Sequence, residues 1–326
     1  MPLSEQELIQ TFFAKPPKRK DVVLGVGDDC AVLSPPENLD LAVTTDTLVE
    51  GVHFLPDTPP QDIGYKAVAV NLSDLAAMGA QPSWLSLSLA MPISDAPWLK
   101  SLCRGINDCT QHFDAEIIGG DTVHSQTLTL TITAQGFIPK TQAITRTGAN
   151  IGDLIYVTGT LGDAGAGLLL AQGKLATNNP QHYDFLVERL HRPTPRIAAG
   201  MALRPYATSM CDISDGLLID LKRLLTGSDV GAIVNVEQVP LSIALKSVFD
   251  SDLMQHEVAM TGGDDYELCF TVPEDKQQPV EAALESVGCS VTCIGRIVNK
   301  PHCKLLRNNE LWTPRTLGYD HFAEPS

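Results

Sequence analysis

Positive charge is scarce in this chain: 23 Lys and Arg stand against 39 Asp and Glu, a formal net charge of −16 over 326 residues. That balance offers no electrostatic footprint for nucleic acid or for an anionic membrane surface. It is equally unpromising for a bare polyanion. No apolar run approaches the ~18 residues a bilayer span needs. The opening MPLSEQELIQTFF lacks the basic and apolar stretches of a signal peptide, so a cytoplasmic protein is expected. No CxxC occurs among the eight cysteines. Cys289 and Cys293 share a strand-like stretch that would put them ~13 Å apart, too far for a disulfide. Reduced thiols of a cytosolic protein are therefore expected. Several catalytic signatures are missing too. Gly167 to Lys174 is the nearest approach to a GxxxxGK[ST] loop, with the wrong spacing, and there is no HRD, DFG, GxSxG or HExxH.

What is present is an ordinary globular composition, 44% hydrophobic, long enough to favour two domains over one. Ser4 and Glu7 form a capping-box pattern ahead of Leu8, Ile9, Phe12 and Phe13, so the chain should open on a helix. The basic run KPPKRK (15–20) reads as a solvated turn after it. Alternation of apolar and hydroxyl residues marks strands at 84–90 (WLSLSLA) and 128–134 (LTLTITA), with weaker strand signals at 41–48 and 115–120. Ile63, Val70, Leu75 and Met78 predict a helix over 61–79 that ends on Gly79. Pro139 to Asp153 is polar and aperiodic, and the domain boundary is placed there, giving domains 1–145 and 146–326. Beyond it, strands are expected at 153–159, 267–272 and 289–295, and helices at 163–173 and 215–225, the last stopped by Gly227. The fold class is α/β of the α+β type, in two domains.

The aspartates carry the chemistry. Asp28 and Asp29 lie in GVGDD, Asp46 and Asp121 follow strands in TTDT and IIGGDT, and Asp212 and Asp215 bracket Ser214 in DISDGL. Asp74 sits one helical turn from Asn71, on the same face. Most of these sit at strand ends or helix starts beside glycines, where α/β proteins place ligands. Each has a plainer reading: Asp215 as a helix cap, GVGDD as turn chemistry. Oxygen ligation of a hard cation explains all seven together, because Mg²⁺ takes carboxylates, waters and substrate phosphates. It also resolves the charge conflict, since an acidic protein can hold a polyanion through intervening divalent ions.

In order along the chain, GVGDDCAVL (25–33), TTDTLVEGVHF (44–54), YKAVAVNLSDLAAMGA (65–80), IIGGDT (117–122), YVTGTLGD (156–163), DISDGL (212–217) and GGDDYELCFTV (262–272) resemble the motifs of thiamine-monophosphate kinases. Those enzymes form part of the aminoimidazole-ribonucleotide synthetase superfamily. The resemblance implies an N-terminal domain with a mixed or antiparallel sheet that binds ATP and metal and pairs with a second copy, making a homodimer. It implies a C-terminal α/β domain that completes the active-site cleft. By the same resemblance Asp29, Thr44, Thr45, Asp46, Asp74, Asp121, Asp212 and Asp215 match ligands of several Mg²⁺ ions. Gly120, Asp121, Arg146 and Ser214 match ATP contacts, and His53, Asp264 and Tyr319 match contacts to thiamine monophosphate. The family usually reads GGEDYEL, so Asp264 is one methylene shorter than the residue it replaces. Trp312 reads as an anchor for the tail.

The reaction implied is ATP plus thiamine monophosphate giving thiamine diphosphate and ADP, by direct in-line transfer. A phosphate acceptor with a second pKa of ~6 is mostly dianionic at neutral pH and needs no general base. A cluster rich in Asp and without His suits that requirement. Relatives that use a reactive N-terminal or C-terminal cysteine are disfavoured, since no Cys lies at either end of the sequence. Another ATP-using member of the superfamily, or a noncatalytic acidic protein that binds divalent ions, remains the alternative.

Overall fold

A computed structural model describes residues 3–299, 302–319, 321 and 322. The chain forms two compact units, one containing the chain up to Leu75 together with Ala80–Thr141, the other Ala76–Gly79 and the chain from Gln142.

The first unit opens with α1 (Glu5–Leu8), which runs on into a wider turn over Ile9–Phe13. The expected capping box is present: Ser4 accepts from the Glu7 amide, and the Glu7 carboxylate accepts from the Ser4 amide at 2.9 Å. A hairpin of β1 (Val22–Leu24) and β2 (Val32–Leu33) follows. The rest is β3 (Leu39–Val49), α2 (Pro60–Ala77), β4 (Gln81–Met91), α3 (Ala96–His112), β5 (Glu116–His124) and β6 (Thr129–Pro139). The sheet runs β3-β6-β4-β5, antiparallel except for the parallel pair β4 and β5. The mixed sheet expected for this half is therefore what forms. Helix α2 stops as anticipated: the Gly79 and Ala80 amides fold back on Ala76 and Leu75 carbonyls at 2.9 and 2.8 Å, a Schellman closure.

Strand alternation gives the sheet two different faces. Leu85, Leu87 and Leu89 of β4 stand opposite Ala134, Ile132 and Leu130 of β6, and all six are buried. The other face is hydroxylic. Thr45 pairs with Thr133 and Thr47 with Thr131, each at 2.9 Å, and Ser86 and Ser88 continue those two rows. At one end of this face Trp84 meets Phe137 edge-on at 5.0 Å, with Val22 and Ile118 packed beside them. The KPPKRK run is exposed apart from half-buried Arg19, as expected of a solvated turn, and it is anchored. The Lys18 and Arg19 amides both donate to the Glu116 carboxylate at 2.9 Å, and Arg19 pairs with Asp21 at 2.8 Å. The carboxylate at the start of β5 captures the segment.

The second unit holds β7 (Leu154–Thr158), α4 (Asp163–Ala171), α5 (Pro180–His191), α6 (Ile197–Leu203), β8 (Ser209–Ile213), α7 (Leu217–Ser228) and β9 (Gly231–Asn235). Then come α8 (Ile243–Val248), α9 (Asp252–Thr261), β10 (Glu267–Val272), α10 (Gln277–Ser286), β11 (Val291–Val298), β12 (Cys303–Arg307) and β13 (Glu310–Trp312). Seven strands form one sheet in the order β13-β12-β9-β11-β7-β10-β8. Its main core joins Ile155, Val157, Ile213, Val234 and Cys269 of the sheet to Leu217, Leu218, Leu221, Leu224 and Leu225 of α7. Helix α7 does not stop at Gly227. It runs to Ser228 and closes on Asp229 in a left-handed conformation, whose amide reaches the Leu225 and Thr226 carbonyls. All eight cysteines are free thiols. Among the described residues no helix is long and apolar enough to cross a membrane.

Candidate functional site

In the first unit, one acidic group forms on the edge strand β3. Thr44 and Asp46 alternate onto the face that α2 covers. There the Thr44 hydroxyl donates to the Asp74 carboxylate at 2.5 Å, and Asn71 accepts from the Asp46 amide at 3.0 Å. Asn71 is buried and its other amide atom is tied to the Ala67 carbonyl at 3.0 Å. It therefore fixes α2 against β3 and sets the position of Asp74 one turn further on. The expected neighbourhood of Asp74 and Asn71 is met. Thr45 points the other way, to Thr133, so the structure does not bring its hydroxyl to Asp74. His53 lies in the turn after β3 and takes the Val49 amide on Nδ1 at 3.0 Å. In that bond Nδ1 is the acceptor nitrogen of the ring.

A second acidic group forms at the opposite edge. The GVGDD loop and the glycines of β5 line one open cleft of about 1000 Å³, with Asp28, Asp29, Ser86, Gly119 and Gly120 on its walls. Gly120 has φ +157, and a Cβ there would lie 1.8 Å from the Leu87 carbonyl oxygen. Only glycine lets β5 press this closely on β4. Asp28 and Asp29 are exposed, and so is Asp121, which follows Gly120. Asp46, Ile132, Leu87 and Gly120 lie in one row across the sheet. Three interstrand steps separate the ends of that row, about 14 Å. Within one chain, then, the sheet does not bring Asp46 and Asp74 together with Asp121.

In the second unit the DISDGL and GGDDYEL segments meet. The Asp264 and Tyr266 amides donate to the Ser214 and Ile213 carbonyls at 2.8 Å each, and the Tyr319 amide donates to the Asp215 carbonyl at 3.0 Å. Ser214, Asp215, Asp264 and Tyr319 are thereby gathered at the N-terminal end of α7. Buried Asp212 precedes them on β8. Asp264 and Tyr266 both take left-handed backbone, at φ 69 and 51. That conformation is uncommon outside glycine, so the loop must be held from its surroundings.

Asp215 is not a helix cap. Its carboxylate pairs with Arg223 at 2.6 Å, and α7 has no side-chain cap at Gly216; Asp220 reaches back to the preceding turn, accepting the Ser214 and Asp215 amides at 3.1 and 3.0 Å. Burial pushes the Asp220 carboxyl up to about 6, against the pull of the Asp215 amide and of Arg223. Asp220 and Arg223 were not singled out in the sequence. The available signal was an acid in the first turn of a helix, where the helix dipole favours it. Arg146 is exposed, and its carbonyl accepts from Ser228 at 3.3 Å, at the far end of α7. A helix of 12 residues spans about 18 Å, so the backbone of Arg146 stands well away from Ser214.

Among the described residues no three His, Cys, Asp or Glu side chains already form a metal-holding group. The matched carboxylates are instead distributed over two edges of one sheet and over the second unit. Their donor chemistry, carboxylate and hydroxyl oxygen with neither thiolate nor imidazole, fits a hard cation and not zinc.

Comparisons with known proteins decide the family. Residues 27–138 match the model for the N-terminal domain of AIR synthase related proteins, and residues 150–308 match the model for the C-terminal domain. Thiamine-monophosphate kinase of Escherichia coli K12 is 46% identical over 327 residues, covering 100% of both chains. The chain belongs to the thiamine-monophosphate kinase family. It is accordingly an enzyme, a kinase. A crystal structure of the kinase from Stenotrophomonas maltophilia K279a is 42% identical, covers 88% of this chain and 92% of its own, and superposes with a TM-score of 0.84. A solved complex of AaThiL with AMPPCP and TMP is 31% identical, with coverages of 88% and 89% and a TM-score of 0.78. The α/β fold in two parts, expected from the motifs, is the fold of these kinases.

Proposed function

We propose that this kinase transfers the γ-phosphoryl group of ATP to thiamine monophosphate, giving thiamine diphosphate and ADP in the cytoplasm. The observation that carries the reading is the full-length match to a kinase of that name. The relative solved with AMPPCP and TMP supports it. An acceptor-phosphate oxygen attacks the γ-phosphorus in line as the bond to the β,γ-bridging oxygen breaks. The dianionic acceptor carries its own nucleophile, so no side chain need remove a proton. Several divalent cations, Mg²⁺ in the first instance, would be held by Asp29, Thr44, Thr45, Asp46, Asp74, Asp121, Asp212 and Asp215. When bound they neutralise the repulsion between two polyanions. The protein's own part is positioning. Asn71 sets Asp74, and Asp220 holds the Ser214 turn. His53 would meet the acceptor phosphate. Gly120, Arg146 and Ser214 would meet ATP, and Asp264 and Tyr319 the thiamine moiety, whose cationic ring suits an aromatic face.

With MgATP, the purified protein is expected to convert thiamine monophosphate to thiamine diphosphate and to use free thiamine poorly. Product identification by chromatography checks this. Rapid turnover of free thiamine, with none of the monophosphate, would end the reading.

A homodimer is part of the proposal. β3 is an edge strand of 11 residues with Leu41 and Val43 largely exposed, a feature monomers avoid. Joining the β3 edge of one copy to the β5 edge of another would carry Asp46 and Asp74 toward a second chain's Gly120 and Asp121. Sedimentation at micromolar concentration should give twice the 35.1 kDa of the chain. A species of single-chain mass refutes the dimer.

A further inference from the structure

The segment that follows β13 is strapped down at successive points. Trp312, at the end of β13, packs against the main core of the second unit, the anchoring role its sequence position suggested. Pro314 is buried. The next two amides, Arg315 and Thr316, both donate to one oxygen of Glu257, at 2.5 and 3.4 Å. Gly318 then lies on the start of α7, where a Cβ would come within 2.8 Å of the Asp215 carbonyl oxygen and 2.9 Å of Ile219. The Tyr319 amide bonds to that same carbonyl at 3.0 Å.

Glu257 stands out in this series. It is a carboxylate on α9, only 8% exposed, and it accepts from two consecutive main-chain amides in a stretch outside regular structure. A buried carboxylate is costly unless it is well hydrogen-bonded, and charge-assisted bonds to amides are among the stronger ones. The side chains of Arg315, Thr316 and Leu317 remain exposed. Little apolar burial therefore holds the chain between Pro314 and Gly318, and the Glu257 bonds set its path.

We infer that Glu257 is a positioning residue: it holds the C-terminal strap in the path that delivers Tyr319 to the thiamine-binding end of the site. This deepens the proposed reaction and rests on it for the identity of what Tyr319 meets. Glu257 itself touches none of the reacting atoms. Its loss should therefore weaken binding of the acceptor while leaving ATP binding and the chemical step in place.

The test compares Glu257→Ala, which removes the acceptor, with Glu257→Gln, which keeps a carbonyl oxygen for the same two amides. Losing bonds to a charged group is expected to raise KM for thiamine monophosphate about tenfold in Glu257→Ala. KM for ATP and kcat should stay within about twofold of the parent, and Glu257→Gln should restore most of the acceptor KM. Independently of any activity, trypsin should cut after Arg315 about tenfold faster in Glu257→Ala than in the parent or in Glu257→Gln. Unchanged cleavage at Arg315 overturns the strap. Faster cleavage with an unchanged KM for thiamine monophosphate overturns the positioning role. Failure of the parent protein to phosphorylate thiamine monophosphate would defeat the proposed reaction alone, because the cleavage assay reads the strap without it.

Discussion

Replacing Asp74 with Asn is expected to cut kcat/KM on the order of 10²-fold or more while the protein stays folded. The reason lies in how little else the substitution changes. Asp74 is held by the Thr44 hydroxyl at 2.5 Å on a helix that the buried Asn71 ties to β3. An asparagine oxygen still accepts that bond, so the helix keeps its place and its packing. What disappears is one negative charge on a half-buried side chain beside Thr44. Thermal unfolding should shift by no more than a few degrees, and Mn²⁺ or Mg²⁺ titrations should show weakened cation binding. If Asp74→Asn keeps near-normal activity at limiting Mg²⁺, Asp74 is a structural partner of Thr44 and the metal proposal fails at its centre.

Much of the fold was legible because strand alternation is a local signal. WLSLSLA and LTLTITA announced a sheet with one leucine face and one hydroxyl face, and β4 and β6 are built in that way. The α2 stop at Gly79 was equally readable, since a left-handed closure is written in one residue. Helix α3 went unread although Asp95 caps it and Leu99, Leu102, Cys103, Ile106 and Cys109 make its buried stripe. Its interior Gly105 weakens the helical signal. The reason for that glycine is long-range: a Cβ there would lie 1.7 Å from the Gln61 carbonyl oxygen of α2. KPPKRK is the solvated turn its composition suggested, but what anchors it was not local. Its captor, Glu116, is 97 residues away from Arg19.

The candidate site was legible as a list of residues and not as an arrangement. Spacing placed Asp74 beside Asn71, whereas Thr44 and Thr45 were matched to metal together and the structure turns Thr45 to Thr133. The order β3-β6-β4-β5 cannot be read from spacing, and it is this order that sets Asp46 and Asp121 on opposite edges. The residues that support the site were hidden more thoroughly. Asp220, Arg223 and Glu257 carry no motif of their own. Each acts on backbone or carboxylate groups distant in sequence or belonging to a turn whose shape was unknown.

The largest stability effect is expected at Glu267, where β10 begins. Its carboxylate is fully buried and meets Arg189 at 2.9 Å and Arg196 through two bonds at 2.6 and 2.5 Å, while the Thr158 hydroxyl donates at 2.7 Å. Two guanidinium groups thus share one carboxylate, and removing it leaves both charges in a poorly solvated site. Glu267→Ala should therefore destabilise the protein by about 3–5 kcal/mol, the cost typical of orphaning a buried ionic partner. The same change should reach the site through the chain. Arg189 also donates to the Asp265 carbonyl at 3.0 Å, and the Asp265 side chain accepts the Gly162 amide at 2.6 Å at the start of α4. These bonds flank Asp264 and Tyr266, whose left-handed backbone has to be held from outside. Urea unfolding reads the stability change directly. Removing the orphaned charges as well, in Glu267→Leu with Arg189→Met and Arg196→Met, should return much of the lost stability, since apolar replacement of a whole buried ionic group is often neutral. A loss below about 1 kcal/mol in Glu267→Ala would show that water or backbone relaxation satisfies the two arginines without Glu267. In that case the Ser214 and Asp265 bonds hold the conformation of Asp264 without help from Glu267.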